Sequence, residues 1–237
     1  MNGSSPIILR AENASCDPAS GVVGPVSISC EDHAFTLLCG DTGCGKNVLL
    51  RLLGLLEVPA TGEIFYHETP TRDLSGEARA GLRNLHYGYL FAEPFLLPSL
   101  SVVENIAMPL LKISVVSSDE ARIRTQAVLD FIGLPDAMER QIDGLSMFEQ
   151  HKVALARALV NRPAVLIVEN IDSALGGEDL ARFVELLQRA NRELGTTPVV
   201  TALSEVSVPG ADCVIRMANG AIVEVSNATV NKGDAAA

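Results

Sequence analysis

The sequence has few basic residues, no paired-cysteine pattern and no long hydrophobic run. Its 237 residues include 18 Lys and Arg against 29 Asp and Glu, which gives a net charge of -11. This deficit of positive charge argues against a broad nucleic-acid-binding surface, because such surfaces need clustered Lys and Arg. The five cysteines are odd in number and show no C-x-x-C spacing. They therefore argue against a disulfide framework or a zinc site and favour a reducing cytosol.

The most apolar stretch, NVLLRLLGLLEVP, begins at Asn47 and contains Arg51. It is shorter than the roughly 18 apolar residues that a membrane span needs. The first residues, MNGSSPIILRAEN, lack the basic and apolar regions of a signal peptide. We therefore expect a soluble protein that reaches any membrane through a partner.

Short β-branched runs alternate with helical patterns along the chain. The runs GPVSISCEDHAFTLLCG, PAVLIVEN and TPVVTAL predict buried strands, and the pattern from about Ser75 to Asn161 is mostly helical. The segment EDLARFVELLQRANRELG predicts an amphipathic helix that ends at Gly195. Asn219-Gly220 predicts the turn of a hairpin.

This alternation predicts an α/β fold of the P-loop type with an inserted helical subdomain. We expect a single domain over residues 1–225, with the helical subdomain at about residues 95–160. Residues 226–237, which are small and polar, predict a flexible tail.

The segment GDTGCGKN nearly spells a phosphate-binding loop, which reads Gly, four residues, Gly, Lys and then Ser or Thr. Its glycines let backbone N–H groups converge on phosphates, and Lys46 holds the outer ones. Asn47 replaces the hydroxyl that ligates Mg²⁺, and its amide oxygen is a weaker substitute. Two interpretations remain open here: the loop binds phosphate, or it is kept as a strand-to-helix turn. The candidate nucleotide-binding residues are Gly40, Asp41, Thr42, Gly43, Cys44, Gly45, Lys46, Asn47 and Val48.

Four stretches in order resemble the ATP-binding-cassette (ABC) ATPases. They are GDTGCGKNVLLRLLGLLEVPATGEI, YGYLFAEPFLLPSLSVVENIAMPLL, LSMFEQHKVALARALVNRPAVLIVENIDSAL and TPVVTALSEVSVPGADCVIRMANGAIVE. Within the family, EARAGLRNLHYGYLF and VENIAMPLL look most similar to the lipoprotein-releasing and macrolide-efflux type. The resemblance implies a P-loop NTPase domain with a RecA-like parallel-sheet core, an antiparallel β subdomain and an inserted helical subdomain. It also implies ATP and Mg²⁺ as cofactors, and two such domains that sandwich two ATP molecules head to tail.

The positions that carry catalysis in this family hold other residue types in this chain. The Q-loop glutamine is replaced by Ala92, and the Walker B pair Asp-Glu by Glu169 and Asn170. The D-loop aspartate is replaced by Gly176 and the switch histidine by Ala202. Asn170 cannot accept a proton, and the loss of a general base typically costs ~10²–10⁴-fold in rate. Asn47 and Glu169 are the candidate metal ligands that remain.

The signature motif, LSGGQ-like in the family, reads LSMFE here. Two glycines in the family let this helix start approach a partner's γ-phosphate, whereas Met147 and Phe148 are bulky side chains. The residues of this altered motif are Leu145, Ser146, Met147, Phe148 and Glu149.

These substitutions predict a pseudo-ATPase that acts as a structural or regulatory partner of an integral-membrane permease. As the resemblance implies, it would form a homodimer, or a heterodimer with an ABC ATPase paralogue. It would lie on the cytoplasmic, inner face of the plasma membrane and bind no nucleic acid. A non-transport scaffold, such as a component of a cell-envelope machine on the cytoplasmic face, stays open, and so do two further alternatives. One is a switch subunit that binds ATP without hydrolysing it. The other is an active ATPase that energises transport of a lipid, lipoprotein or efflux substrate through substituted groups such as Glu93 or Glu178.

Overall fold

The computed structural model describes residues 6–16, 23–113 and 116–227. Ten strands lie in this part of the chain. They are β1 (Ile7–Ser15), β2 (Val26–Glu31), β3 (Thr36–Cys39), β4 (Thr61–Tyr66), β5 (Thr69–Pro70), β6 (Tyr87–Leu90), β7 (Val165–Val168), β8 (Thr197–Ala202), β9 (Cys213–Ala218) and β10 (Ala221–Asn227).

Seven α-helices lie in the same described ranges. They are α1 (Lys46–Leu53), α2 (Gly76–His86), α3 (Val102–Ile113), α4 (Ser118–Phe131), α5 (Met147–Leu159), α6 (Ile171–Ala174) and α7 (Gly177–Leu194). The helices α3, α4 and α5 are inserted between β6 and β7.

The main sheet has the strand order β10-β9-β3-β8-β7-β6, and within it β9, β3, β8, β7 and β6 run parallel. A second sheet, β2-β1-β4-β5, is antiparallel. The predicted fold class, with a parallel core, an antiparallel β part and inserted helices, is confirmed.

The central strand β3 is buried on both faces. Leu37 packs with the inserted helices and α7, whereas its neighbour Leu38 packs with α1 and the antiparallel sheet. Both side chains are fully buried. This two-sided burial explains why β3 reads as an unbroken apolar run and not as an alternation.

Two local patterns are confirmed in detail. The α7 helix ends at Gly195, whose φ of 70° is the left-handed conformation of a helix C-cap. The turn between β9 and β10 has positive φ at both Asn219 and Gly220, as a two-residue hairpin of the mirror-image type requires.

The stretch from about Ser75 to Asn161 is mostly helical, as predicted, but one strand within it was not predicted. The segment predicted as mostly helical contains strand β6, which pairs parallel to β7 and forms the edge of the main sheet. Four residues, YGYL, are too few to show a strand period. At the other end of the chain, β10 continues to Asn227, two residues into the segment predicted as a tail. The rest of that predicted tail lies outside the described residues.

Candidate nucleotide site

The loop after β3 has the backbone geometry of a phosphate-binding cradle. Gly43 and Gly45 have φ of 82° and 98°, which are left-handed values that residues with side chains rarely adopt. Gly45 precedes the first turn of α1 and supplies no side-chain cap, so the backbone N–H groups of that turn stay open. The Lys46 ammonium donates to the carbonyl oxygens of Gly40 and Asp41 at 2.9 and 3.2 Å, which holds its side chain along the loop.

A cavity of about 290 Å³ opens beside this loop. The end of β7 and the residue after β8 form its other wall. Ten residues line it, namely Thr42, Gly43, Gly45, Lys46, Asn47, Val48, Asn170, Asp172, Ser173 and Leu203. Six of these ten belong to the predicted nucleotide-binding segment. The predicted residues Gly40, Asp41 and Cys44 lie outside the lining, although the first two anchor Lys46 through their carbonyl groups.

Asn170 has φ of 44° and ψ of 48°. Asn adopts this left-handed conformation more readily than most residues with a side chain. The backbone conformation at position 170 therefore favours Asn. Its N–H donates to the Thr201 hydroxyl at 2.9 Å, and that hydroxyl donates to the Asn170 amide oxygen at 3.4 Å. Asn170 therefore ties the end of β7 to β8 at the rim of the cavity.

Two oxygen atoms of cavity-lining residues are buried without a hydrogen-bond partner within the described part of the chain. They are Oδ1 of Asn47 and Oδ1 of Asp172. Buried polar atoms of native proteins nearly always have a partner, and Mg²⁺ prefers oxygen ligands. The cavity therefore suits a phosphate group accompanied by a divalent cation.

Glu169, the other predicted metal ligand, is directed elsewhere. Its carboxylate lies 4.0 Å from a guanidinium nitrogen of Arg51, which also binds Glu57 at 2.6 Å. It does not belong to the residues that line the cavity. Of the predicted metal pair, the structure thus places Asn47 at the cavity and Glu169 beside it. Among the described residues, no cluster of three or more His, Cys, Asp or Glu forms a metal site.

The Q-loop and switch positions do not reach the phosphate cavity. Ala92 lines a second, larger cavity of about 740 Å³ together with Glu93 and Met147. Ala202 is fully buried in the hydrophobic core, and the next residue, Leu203, lines the phosphate cavity in its place. These two positions therefore contribute no polar group to the cradle.

His151 joins the Q-loop segment to the signature helix. Its ring is buried, and its two nitrogens lie 2.9 Å from the Met147 carbonyl oxygen and 3.0 Å from the Ala92 carbonyl oxygen. This contact, which was not predicted from the sequence, links residues that are 59 positions apart.

The signature segment begins helix α5 with a complete capping box. The Ser146 hydroxyl accepts from the Glu149 N–H at 3.2 Å, and the Glu149 carboxylate accepts from the Ser146 N–H at 2.8 Å. Arg140 also donates to Glu149 at 2.8 Å. This hydrogen bond from Arg140, followed by the one from Ser146, lowers the pKa of Glu149 below its ordinary value. Leu145, just before the box, is buried in the core.

The two bulky residues of the signature segment differ in direction. Met147 is 56% exposed, whereas Phe148 is half-buried and packs on the helical core. The bulk predicted at the phosphate-facing end of this helix therefore comes from Met147 alone. Gly176, the D-loop position, precedes α7 and has an extended backbone.

The substituted acidic groups that we considered for catalysis lie away from the phosphate cavity. Glu178 pairs with Arg182 on the exposed face of α7, and Glu93 lines the second cavity. Asp172 was missed, although it stands only two residues after Asn170 and is acidic. Its place at the cavity depends on the main sheet, in which β8 pairs with both β3 and β7, so that the residues after all three parallel strands lie at one edge.

Comparison with known protein families decides the classification. The profile described as "ABC transporter" matches residues 23–171, more than half of the chain. The chain belongs to the ABC transporter ATP-binding family. No helix in the described residues is both long and apolar enough to cross a membrane.

Several members of the ABC family resemble the chain over most of its length. The lipoprotein-releasing system ATP-binding protein LolD of Bordetella avium is 35% identical over 91% of this chain and 95% of that protein. The LolD protein of Bordetella pertussis is 36% identical over 84% of this chain and 86% of that protein. The macrolide export ATP-binding/permease protein MacB of Syntrophobacter fumaroxidans is 34% identical over 87% of this chain but only 29% of its own length. The predicted lipoprotein-releasing and macrolide-efflux type is thus confirmed.

A solved ABC structure supports the fold. A dimeric bacterial ABC transporter cassette, MJ0796, superposes with a TM-score of 0.83 at 24% identity, covering 92% of this chain and 98% of that one.

The prediction of a pseudo-ATPase with a purely structural or regulatory role is wrong. The relatives that match nearly the whole chain are named ATP-binding subunits of lipoprotein-releasing systems, which favours the alternative of an active ATPase. The doubt about ATP and Mg²⁺ is likewise unsupported. The substitutions at Ala92, Asn170 and Ala202 thus occur in a chain that is similar over nearly its whole length to ATP-binding subunits.

Proposed function

We propose that this chain is the ATP-hydrolysing subunit of a membrane transporter and energises the movement of a lipid, lipoprotein or efflux substrate. The observation that carries the proposal is the similarity to lipoprotein-releasing ATP-binding proteins over nine-tenths of the chain. The preserved cradle around Lys46 supports it, because this is the part of the fold that binds phosphate.

In this proposal the open N–H groups at the start of α1 and the Lys46 ammonium bind the phosphates of ATP. To do so, Lys46 exchanges its contacts with the Gly40 and Asp41 carbonyls for contacts with phosphate oxygens. Bound Mg²⁺ would neutralise phosphate charge, with Asn47 among the residues that hold it. Asn170, fixed by Thr201, lies at the rim where it can orient a water molecule through its amide.

The proposed assembly is a dimer of ATP-binding subunits beneath a membrane permease. The dimeric cassette with the same fold and the permease named in the MacB relative support this arrangement. The chain would then lie at the inner face of the membrane, held there by the permease. Identification of the ATP-binding subunit that co-purifies with this chain distinguishes a homodimer from a heterodimer.

A phosphate-release assay on the purified chain, alone and with its co-purified permease, tests the proposed activity. We expect ATP hydrolysis that Lys46→Ala reduces by at least about 100-fold, since positioning and charge account for most of phosphoryl-transfer catalysis. Arg192→Ala is the matched control, because it removes one exposed positive charge from α7, outside the cavity. Hydrolysis that Lys46→Ala leaves unchanged, or binding of ATP without hydrolysis in the complex, would overturn the proposal.

A further inference from the structure

Among the described residues that line the phosphate cavity, Asp172 is the one with an acidic side chain. It lies in the short helix α6, directly after β7. One carboxylate oxygen, Oδ2, accepts from the Leu203 N–H at 2.7 Å. This bond fixes the side chain in place, and the other oxygen, Oδ1, is buried without a partner.

Asn47, which lines the same cavity, has a second buried oxygen without a partner among the described residues. It is the second residue of α1, and the oxygen concerned is Oδ1. An amide oxygen and a carboxylate oxygen are both acceptors. Neither can satisfy the other, so each needs a donor or a cation.

The neighbouring side chains do not compensate these two oxygens. The Lys46 ammonium donates to the loop carbonyls of Gly40 and Asp41. The Asn170 amide oxygen accepts from Thr201, and Glu169 faces Arg51. Within the described part of the chain, no side chain forms an ion pair with the Asp172 carboxylate, and Lys46, which lines the same cavity, is held by carbonyl groups. A buried carboxylate oxygen without a partner is costly unless a ligand supplies the donor or cation.

We propose that Asp172 and Asn47 provide the protein oxygens for the divalent cation that accompanies the nucleotide. The inference rests on the proposed ATP site and adds its metal ligands. Asp172 thus supplies the negative charge that Glu169, turned toward Arg51, does not bring to the cavity. Hard divalent cations such as Mg²⁺ and Mn²⁺ favour such a pair of oxygens together with phosphate oxygens and water.

The decisive variant is Asp172→Asn, because it keeps an oxygen that can accept from the Leu203 N–H while removing the charge. Binding is measured with a fluorescent, non-hydrolysable ATP analogue, once with Mg²⁺ and once with EDTA. Electron paramagnetic resonance of Mn²⁺ with the same analogue reports the bound metal directly. Neither readout depends on catalytic activity.

We expect Mg²⁺ to raise nucleotide affinity in the wild type and Asp172→Asn to reduce this gain by at least about tenfold, as changes around metal ligands typically do. The affinity in EDTA should stay the same or rise, since a negative charge near the phosphates is gone. Asn47→Ala should reduce the Mg²⁺ gain in the same way and provides a second variant if Asp172→Asn folds poorly. Glu169→Gln is the matched control, as it neutralises a nearby carboxylate that does not line the cavity.

The outcomes separate this inference from the proposed function. If Glu169→Gln and not Asp172→Asn abolishes the Mn²⁺ signal, or if neither Asp172→Asn nor Asn47→Ala changes the Mg²⁺ gain, the metal assignment fails while ATP binding stands. If Asp172→Asn weakens binding equally with Mg²⁺ and EDTA, Asp172 acts through Lys46 and the assignment also fails. If the wild type binds no nucleotide, the proposed function and the inference fail together.

Discussion

The aromatic rings of Phe148 and Phe183 meet edge to face, with centroids 6.5 Å apart and planes at 72°. Phe148 comes from the start of the signature helix and Phe183 from the fully buried side of α7. Lys152 adds a contact of its ammonium over the Phe148 ring at 5.5 Å. Phe148 therefore packs the inserted helix α5 against α7.

This packing predicts losses of stability of different size at two adjacent positions. Phe148→Ala should lower the free energy of unfolding by about 2 kcal/mol, less than a fully buried Phe because the ring is half-buried. Met147→Ala should change it by less than about 0.5 kcal/mol, since the side chain is mostly exposed. Urea denaturation of the two variants checks both values. Equal effects at the two positions would show that the Phe148 contact does not stabilise the fold.

A second prediction concerns Gly40 and Gly43 in the phosphate loop. A Cβ at Gly40 would lie 2.3 Å from the Met217 carbonyl oxygen, so Gly40→Ala should cost about 2 kcal/mol or more of stability. A Cβ at Gly43 meets no atom within 4 Å, and Gly43→Ala should cost only about 1–2 kcal/mol from its left-handed backbone.

Nucleotide binding should separate the two loop variants further. Because the space beside Gly43 belongs to the phosphate cavity, Gly43→Ala should weaken binding of the ATP analogue while the protein remains folded. Thermal unfolding and fluorescence titration of the same samples measure the two effects. Unchanged affinity in Gly43→Ala would argue against phosphate binding at this face of the loop.

The capping box at the signature helix predicts a pH dependence of stability. Glu149 has a lowered pKa because Arg140 and the Ser146 N–H bind its ionised form. Its contribution is therefore fully present above the ordinary pKa of about 4.5 and is lost as the pH falls through the lowered value. Glu149→Gln should be less stable than the wild type by about 1 kcal/mol at pH 7, and the difference should shrink toward pH 3.

Chemical denaturation at a series of pH values measures this difference. The matched control is Glu139→Gln, which removes an exposed carboxylate paired with Arg122 and should have little effect at any pH. A difference between Glu149→Gln and wild type that persists unchanged at pH 3 would contradict the assigned role of the charged carboxylate.

Much of the fold could be predicted because its signals are local. Gly195 ends α7 and Asn219-Gly220 turns the hairpin through backbone conformations that these residue types favour. Strand β6 could not be predicted in this way, since its four residues become a strand only by pairing with β7, more than 70 positions later. Pairing between distant segments leaves little trace in the short run that takes part in it.

In the candidate site, too, some features follow from the local sequence and others depend on the tertiary structure. The sequence by itself determined the phosphate loop and the family, because Gly40, Gly43, Gly45 and Lys46 form a contiguous motif with a strand before it and a helix after it. The tertiary structure alone showed that Asp172 faces the cavity, that Glu169 faces Arg51 and that Phe148 packs inward. Those outcomes depend on the direction of each side chain where β3, β7 and β8 come together in the sheet. A position-by-position comparison of motif letters does not contain that direction.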